Sequence, residues 1–371
     1  MNKKLIALAV AGACVAPEAM AQTANPVVLY GRVNATLESV EGTGSPAGTL
    51  PRRMRVSDQA SRFGIRGTED LGGGLSAFFQ LEAAFKIDQN DTTFANRNSA
   101  VGLQGGWGSF LIGRWDTPLK VAANSIDPWG DVTWGGQAIS TLGSGVGGNN
   151  AHFDIREQNV AQYWTPNWGG LAARLSYAAN EGRNTTVNPR SEGASLTYTR
   201  GPLFLGYGYH ELKDYAAYGT SPATTGPLAS GTAIGNKQAL NALMGTFTFG
   251  PVKVGGMYHK IKRTGFGATS YDDQKSWVAN ITWTMGNNEL IWQHGDNKAG
   301  GVSGTAQPSC KNDSVGWRYN FSKRTTAYLQ YAKIDNNDTG TCNSGTYPGP
   351  LTTRIAGQDI KAMQFGMAMN F

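Results

Sequence analysis

The C-terminal stretch decides the fold, and it reads Gln364-Phe365-Gly366-Met367-Ala368-Met369-Asn370-Phe371. Successive side chains of a β-strand point to opposite faces, so this stretch predicts a strand with one large apolar face. The residues of that face are Phe365, Met367, Met369 and Phe371. The opposite face carries small or polar residues. Because the apolar face continues to the last residue, we expect it to contact lipid rather than a protein core.

The N-terminal segment predicts a secretory signal peptide. Two lysines precede an apolar run over residues 5–16, and Ala19-Met20-Ala21 fits a small-residue cleavage site. The run is shorter than the roughly 18 to 20 residues that a membrane-spanning helix needs. We therefore expect residues 1–21 to be a signal peptide and residues 22–371 to form one domain.

The composition is compatible with a barrel that spans a membrane. The 371 residues include 50 glycines, and the mean hydropathy is -0.34. Lipid offers no hydrogen-bond partners, so only helices and closed barrels span it, and barrel strands need apolar residues only at alternate positions. The net charge of +6 indicates solubility or lipopolysaccharide contact rather than nucleic-acid binding, since no basic run carries interleaved aromatic residues.

Sixteen strands can be placed along the chain, at residues 27–38, 60–67, 75–85, 96–103, 109–115, 157–164, 171–179, 193–200, 203–211, 237–249, 252–262, 274–284, 289–296, 313–322, 325–334 and 359–371. Tight connections such as Gly201-Pro202 alternate with long ones such as residues 212–236. An even strand count with this alternation is typical of bacterial outer-membrane barrels. We predict an all-β, 16-stranded antiparallel transmembrane β-barrel with no helix.

One connection is much longer than the others. About 40 residues separate Trp115 from Glu157, well beyond ordinary connection lengths. A barrel of 16 strands is too wide for its own side chains to fill, so it encloses water. A loop folded inward gives such a pore a constriction. We expect this third outer loop to fold into the pore.

Residues 61–74, Ser-Arg-Phe-Gly-Ile-Arg-Gly-Thr-Glu-Asp-Leu-Gly-Gly-Gly, resemble the second strand and first turn of the general diffusion porins of proteobacteria, particularly the betaproteobacterial group. Further matches lie at residues 28–32, 96–97, 101–103, 111–114 and Phe371. The resemblance implies a homotrimer in the Gram-negative outer membrane, which passes ions and small hydrophilic solutes passively and uses no cofactor. It also implies that Phe371 is an assembly signal.

The resemblance implies a pore constriction in which a basic cluster on the wall faces acids of the third loop. Carried over residue by residue, the basic cluster is Arg32, Arg62, Arg97 and Arg156, the last placed by its seven-residue spacing from Tyr163. The loop acids are Asp127 and Asp131. Which of the two faces the cluster is open, because the chain has Pro128-Trp129-Gly130-Asp131 where the commonest enterobacterial pattern is Pro-Glu-Phe-Gly-Gly.

Strand alternation independently supports the placement of these arginines on the pore wall. If Phe63 and Ile65 face lipid, Arg62 faces the lumen. A charge on the lipid face at the bilayer midplane costs roughly 2 to 4 kcal/mol, so a strand arginine belongs inside the pore. A single such arginine has solvation of the wall or a salt bridge as its simplest explanation. Four of them facing an acidic loop favour a selectivity site with a modest preference for anions.

Arg114 and the cysteines lie outside this cluster. Arg114 falls on the outward face, where it is either a subunit contact, reached by Asp88 or Asp91 of a neighbour, or a rim arginine whose charge reaches the interface. Beyond the signal peptide the chain has two cysteines, Cys310 and Cys342. In an oxidising compartment they allow one pairing, a disulfide between consecutive outer loops.

Enzymatic functions find little support. His152, His210, His259 and His294 do not converge as a metal site, and the chain has no G-x-S-x-G or H-E-x-x-H motif. The alternatives are a substrate-specific channel for sugars or organic anions and, less favoured, a barrel hydrolase or an adhesin. A sugar channel should line its lumen with aromatic residues, but most aromatic residues here fall on the outward face, with Trp129 and Trp134 as exceptions.

Overall fold

The structure is a computed structural model of a closed antiparallel barrel. It describes residues 27–44, 50–88, 92–130, 134, 153–179, 183, 185, 188–214, 235–265, 273–299, 308–342 and 355–371. The signal peptide prediction lies outside these residues and stays a prediction. Within them, no helix is long and apolar enough to cross a membrane.

The strand segments follow one another around the barrel in chain order. They are β1 Val28–Thr43, β2 Leu50–Asp58, β3 Arg62–Gly72, β4 Leu75–Phe85, β5 Thr92–Thr93, β6 Ser99–Gly105, β7 Gly108–Asp116, β8 Arg156–Trp164, β9 Leu171–Ala179, β10 Arg190–Arg200, β11 Leu203–Lys213, β12 Lys237–Phe249, β13 Val252–Thr264, β14 Asp273–Met285, β15 Asn288–Ala299, β16 Ser309–Asn320, β17 Thr325–Asn336 and β18 Asp359–Asn370. Because β2 with β3 and β5 with β6 each form one interrupted barrel strand, the 18 segments make 16 barrel strands. The predicted 16-stranded all-β barrel is confirmed.

The first and last strands close the barrel. β1 pairs antiparallel with β18 from Arg32 opposite Asn370 to Thr43 opposite Asp359. Beyond that ladder, Gly31 and Phe371 exchange two backbone hydrogen bonds of 3.0 Å each. A Cβ on Gly31 would lie 2.3 Å from the Phe371 ring, so the terminal aromatic side chain packs directly over a glycine.

The alternation predicted for the last strand is present in the structure. Phe365, Met367 and Met369 are about half exposed on the outer surface, whereas Gln364 and Ala368 are buried on the inner face. Exposed aromatic residues form two bands on the outside, one that includes Trp168, Phe249 and Phe321 near the short turns, and one that includes Tyr258, Trp277 and Trp292 nearer the other end. Such bands are the aromatic girdles of a barrel in lipid.

Connection lengths divide the barrel into two ends. Turns such as Gly250-Pro251 lie at one end, and there Gly250 adopts a φ of +54°, a left-handed conformation that glycine adopts without the Cβ penalty. β1 begins and β18 finishes at this end. The long connections lie at the other end, which by the outer-membrane pattern faces the outside of the cell.

Two parts of the fold differ from the sequence prediction. β2 extends the first hairpin over residues 50–58. The sequence prediction did not place a strand there, because the segment contains several charged residues. Its charges are met across the hairpin, because Arg55 Nε lies 2.5 Å from Glu38 Oε1 and Arg52 Nη2 lies 3.1 Å from Glu41 Oε2. The expectation of no helix was wrong.

The helix, α1, spans Pro118–Asn124 in the long third connection. Thr117 is its N-cap, and the Thr117 hydroxyl accepts a hydrogen bond from the Lys120 backbone N–H at 3.2 Å. Proline at the first helical position fits the helix geometry, since its missing N–H has no intrahelical partner there. A threonine followed by proline therefore marked this helix in the sequence.

The predicted disulfide between Cys310 and Cys342 is confirmed. Cys310 is the second residue of β16 rather than a loop residue, and Cys342 lies in the connection that follows β17. The two Cα atoms are 6.2 Å apart, the sequence separation is 32 residues, and both residues are buried. The bond therefore ties β16 to the connection between β17 and β18 at the long-loop end.

We predict that deletion of Phe371 impairs assembly. The deletion removes the paired backbone hydrogen bonds with Gly31, a net loss of roughly 1 kcal/mol per bond, and the ring that covers Gly31. The protein should be secreted, but the yield of heat-resistant oligomer on unheated gels should fall. Phe371→Tyr, which keeps both the ring and the backbone bonds, is the control, and a normal oligomer yield from the deletion would contradict the prediction.

We also predict that Cys310→Ser with Cys342→Ser leaves a folded barrel of lower stability. Without the bond the unfolded chain gains entropy, which lowers the free energy of unfolding by about 4 kcal/mol in the chain-entropy model for a loop of this size. Thermal denaturation in detergent should show the lower midpoint, and heat-modifiable mobility should show the intact barrel. Labelling of both thiols in unreduced, denatured wild-type protein would argue against the bond.

Candidate functional site

Two arginines of the inner wall lie directly opposite each other. Arg32 of β1 and Arg62 of β3 are paired in register. Their neighbours Val33 and Phe63 are exposed on the outer surface, so alternation places both arginines on the inner face. The Arg62 guanidinium donates to the Ala60 carbonyl oxygen at 3.4 Å. The structure thus brings together two of the four predicted wall cations.

The third predicted cation, Arg97, is held by a carboxylate of the wall. Arg97 Nε lies 2.6 Å from Glu82 Oε1, and its backbone N–H donates to the Glu82 carbonyl at 3.0 Å. The Tyr30 hydroxyl donates to the other Glu82 carboxylate oxygen at 3.1 Å. The Arg66 guanidinium lies over the Tyr30 ring, 5.2 Å from its centroid. Glu82 and Arg66 therefore join the cluster, although the sequence prediction did not include them.

A signal for Glu82 was present in the sequence. It lies inside a predicted strand, and a carboxylate there is expected to face the lumen for the same reason as a strand arginine. The prediction looked for acids only in the long loop. The inner wall also supplies an acidic residue, Glu82.

The fourth predicted cation, Arg156, pairs with Asp116 across β7 and β8. Arg156 Nη2 lies 3.0 Å from Asp116 Oδ1, and Arg156 Nε donates to Asn98 Oδ1 at 2.6 Å. Lys120 of α1 reaches the same carboxylate at 3.9 Å and lies 2.9 Å from Asp154. Arg156 is therefore connected to the long loop through a chain of alternating charges.

Strand irregularities explain why spacing alone does not place Arg156. The register between β7 and β8 shifts between Gly113 and Trp115, and Asn159 adopts a φ of 52°. Each irregularity breaks the strict alternation of faces. The seven-residue spacing from Tyr163 therefore does not define the side of Arg156, which is located by its contacts. The sequence prediction did not include Asp116, which lies one residue beyond the predicted strand 109–115.

The predicted loop acids are only partly described. The Asp127 carboxylate accepts a hydrogen bond from the Trp129 backbone N–H at 2.9 Å, within its own turn. Asp131 lies outside the described residues. The role of both acids at the constriction stays a prediction.

The described part of the long connection packs against inward-facing residues of the barrel. Leu119 of α1 covers Gly208 of β11, where an added Cβ would lie 2.5 Å from the leucine Cδ1 atom. Pro118 lies over Gly193 of β10 in the same way, at 3.2 Å. These glycines leave room for the helix. Around the helix lies a buried apolar cluster that joins loop and wall, and its members are Leu119, Ala122, Ala123, Ile126, Phe153, Ile155, Leu212, Leu240, Ala242, Met244, Met257, Ile261 and Val278.

Further along the connection, Trp129 docks on β16. Its indole N–H donates to Ser314 Oγ at 3.1 Å, and its ring fills the space over Gly316, at 2.6 Å from the position of an added Cβ. The Arg318 guanidinium lies 5.5 Å from the ring centroid and donates to the Pro128 carbonyl oxygen. Trp129 itself is buried.

Trp134 reaches the first strand. Its indole N–H donates to Glu38 Oε2 at 2.7 Å, and its carbonyl oxygen accepts from Asn312 Nδ2 at 3.4 Å. The ring is buried in a second apolar cluster with Val40, Ile334, Ile360 and the Cys310–Cys342 disulfide. The described contacts of the connection thus reach β10, β11, β14, β16 and β1, and Lys120 also contacts Asp116 of β7. The arginine cluster, which consists of Arg32, Arg62, Arg66, Arg97 and Arg156, lies on β1 to β8.

Arg114, His210, His259 and His294 lie on the barrel faces that the sequence predicted. Arg114 shares an outward-facing cleft with Val101 and Ile112. His210 and His259 are buried on the inner face, while His294 lies outside, with Nδ1 2.7 Å from Asp313. His152 is outside the described residues. In the part of the chain that is described, no group of three or more His, Cys, Asp or Glu is arranged to hold a metal ion.

Comparisons with known proteins agree with this architecture. A family model described as Gram-negative porin matches residues 6–339. The chain is 30% identical to the outer membrane porin protein 32 of Delftia acidovorans over the full length of both proteins. It is 28% identical to the major outer membrane protein P.IB of Neisseria gonorrhoeae, covering 89% of this chain and 92% of that one.

A solved structure with the same fold is the anion-selective porin from Comamonas acidovorans. It superimposes with a TM-score of 0.75 at 27% identity, and the match covers 94% of this chain and all of that one. With a closed barrel of 16 strands and a family match over most of its length, the chain belongs to the Gram-negative porins, passive channels of the outer membrane rather than enzymes.

Proposed function

We propose that this protein is a general diffusion porin with a modest preference for small anions. The observation that carries the proposal is the in-register pair of Arg32 and Arg62 on the inner wall. Around this pair, Arg66, Arg97, Arg156 and Lys120 outnumber the carboxylates Glu82, Asp116 and Asp154. The anion selectivity of the porin from Comamonas acidovorans is consistent with this excess of cations.

The long third loop is proposed to narrow the pore. Its described residues reach inward-facing positions on β10, β11, β14, β16 and β1. Such a course along one side of the lumen would leave the permeation path between the loop and the arginine cluster. Asp127 or Asp131 would then face the arginine cluster across the constriction.

Elementary electrostatics sets the size of the preference. At high dielectric, a unit charge a few ångströms from an ion contributes about 1 kcal/mol or less. Several arginines therefore give graded selectivity rather than tight binding. Because the Debye length falls from roughly 10 Å at 0.1 M salt to 3 Å at 1 M, the preference should weaken as salt rises.

Membership in the Gram-negative porin family suggests an oligomeric state and a membrane environment for the protein. We infer a homotrimer in contact with outer-membrane lipid and lipopolysaccharide, with residues 1–21 removed as a signal peptide. The outward-facing cleft that holds Arg114, with a volume of about 750 Å³, is a place where a neighbouring subunit can dock. Native mass spectrometry of the detergent-solubilised protein measures the oligomer size and the mature N-terminus together.

A substrate-specific sugar channel is less well supported. The two loop tryptophans that could line such a channel, Trp129 and Trp134, are both buried. Each also uses its indole N–H in a hydrogen bond to the barrel wall. Neither ring is therefore available as a flat surface for a passing sugar.

We predict that Arg62→Ser, Arg97→Ser and Arg156→Ser together shift the reversal potential toward cation selectivity. The triple variant removes three positive charges and leaves Glu82 and Asp116 without their arginine partners. Planar-bilayer reversal potentials in a potassium chloride gradient measure the shift, which should be largest at low salt.

A charge-neutral variant is the matched control. Glu82→Gln with Arg97→Gln deletes one ion pair without changing the net charge, so the ion preference should stay close to that of the parent. If the triple variant kept the parental preference, selectivity would come from elsewhere in the channel. A cation-selective parent would show that the loop acids outweigh the arginines.

We also predict that Trp134→Ala loosens the loop. Truncation of a buried tryptophan costs roughly 3 to 5 kcal/mol, and here it also removes the hydrogen bond to Glu38. Single-channel recordings should show larger and noisier conductance. Trp168→Ala, at an exposed turn position, is the control. Unchanged conductance in the Trp134 variant would show that the contact of Trp134 with Glu38 does not determine the width of the constriction.

A further inference from the structure

A recess lies between α1 and the inner wall near the short-turn end of β9 to β13. Its volume is about 460 Å³. On one side Arg174, Ser195 and Thr197 line it, and on the other Phe204 and Lys253 do so. Val121, Ala122 and Ser125 of the loop helix region cover it. It shares no residue with the arginine cluster on β1 to β8.

Arg174 is held in place by stacking. Its guanidinium lies over the Trp164 ring, 4.5 Å from the ring centroid. The ring is fixed in turn, because its indole N–H donates to Gln162 Oε1 at 3.0 Å. Stacking uses the face of a guanidinium and leaves its N–H edge available for hydrogen bonds. Among the described residues, no carboxylate lies within salt-bridge distance of Arg174.

The neighbours of Arg174 suit an anion with a small apolar part. Ser195 stands directly across from Arg174 on β10, and its hydroxyl can donate one hydrogen bond. The Thr197 hydroxyl donates to the Ala172 carbonyl oxygen at 3.3 Å. Phe204 and Val121 offer apolar surface in the same recess. Lys253, which is exposed on the inner face of β13, adds a second positive charge. Described residues place no carboxylate against Lys253 either.

We propose that this recess is a second anion site of the channel, on the side of the third loop that faces the short turns, and that it takes small organic carboxylates. The carboxylate binds at the Arg174 edge and accepts a hydrogen bond from the Ser195 hydroxyl. The apolar part of the ligand packs on Phe204 beneath α1. The site goes beyond the proposed diffusion function, since it depends on other residues than the constriction.

The test uses benzoate and its uncharged analogue benzamide as probes for the full-length protein in detergent. Isothermal titration or saturation-transfer NMR should show saturable benzoate binding and much weaker benzamide binding. Arg174→Gln should weaken benzoate binding about tenfold, as the loss of one charge-assisted hydrogen-bonding group predicts. Lys253→Gln, at an exposed position that does not threaten folding, should weaken it by about threefold.

Two controls make the test decisive. Lys323→Gln removes a charge in the turn between β16 and β17, at the same barrel end but outside the recess, and should leave benzoate affinity unchanged. Arg62→Ser should alter the reversal potential in potassium chloride but not benzoate affinity. The proposal is overturned if wild-type protein binds benzoate no better than benzamide. It is also overturned if Arg62→Ser abolishes binding while Arg174→Gln and Lys253→Gln do not, because the carboxylate then sits at the constriction.

Discussion

Closure of the sheet by pairing of β1 with β18 is the constraint on which the structure depends. A lipid-facing backbone N–H or carbonyl finds no partner in the bilayer, so an open edge is not tolerated there. The ladder from Arg32–Asn370 to Thr43–Asp359, extended by Gly31 and Phe371, removes that edge. Once the sheet is closed, alternation divides every regular strand into a lipid side and a lumen side. The inward position of the strand arginines is therefore a consequence of hydrogen bonding as much as of charge.

A closed barrel of this width leaves a lumen that its wall side chains cannot fill. The residues of the inner wall differ between the two halves of the barrel. From β10 to β18 it carries apolar residues and glycines such as Gly208 and Gly316, which admit Leu119 and Trp129 of the third connection. From β1 to β8 it carries the ion pairs of Arg97 with Glu82 and of Arg156 with Asp116. The apolar docking sites are therefore concentrated on one half of the wall, although that half also carries Arg318 and Lys253.

The sequence predicted features that repeat locally and missed those that depend on distant contacts. Strand alternation and tight turns located the 16 barrel strands, and two cysteines in an oxidising compartment located the disulfide. The position of Arg156 could not be predicted in this way, because the shift at Gly113 and the left-handed Asn159 break the alternation. Glu82 carried a usable signal in its strand position. The docking of Trp134 on Glu38, 96 residues away, leaves no trace in any local pattern.

The charges of the wall differ in what they contribute to the lumen. Arg97 with Glu82 and Arg156 with Asp116 form close pairs, whose fields largely cancel at a distance. They fix the geometry of the wall more than its potential. Arg32 and Arg62 lie opposite each other in register, and like charges directly opposite each other lower the stability of an antiparallel sheet. Strained arrangements of this kind are expected at functional sites, where local consistency gives way. An anion close to this pair reduces the repulsion between the two charges, whereas a cation adds to it.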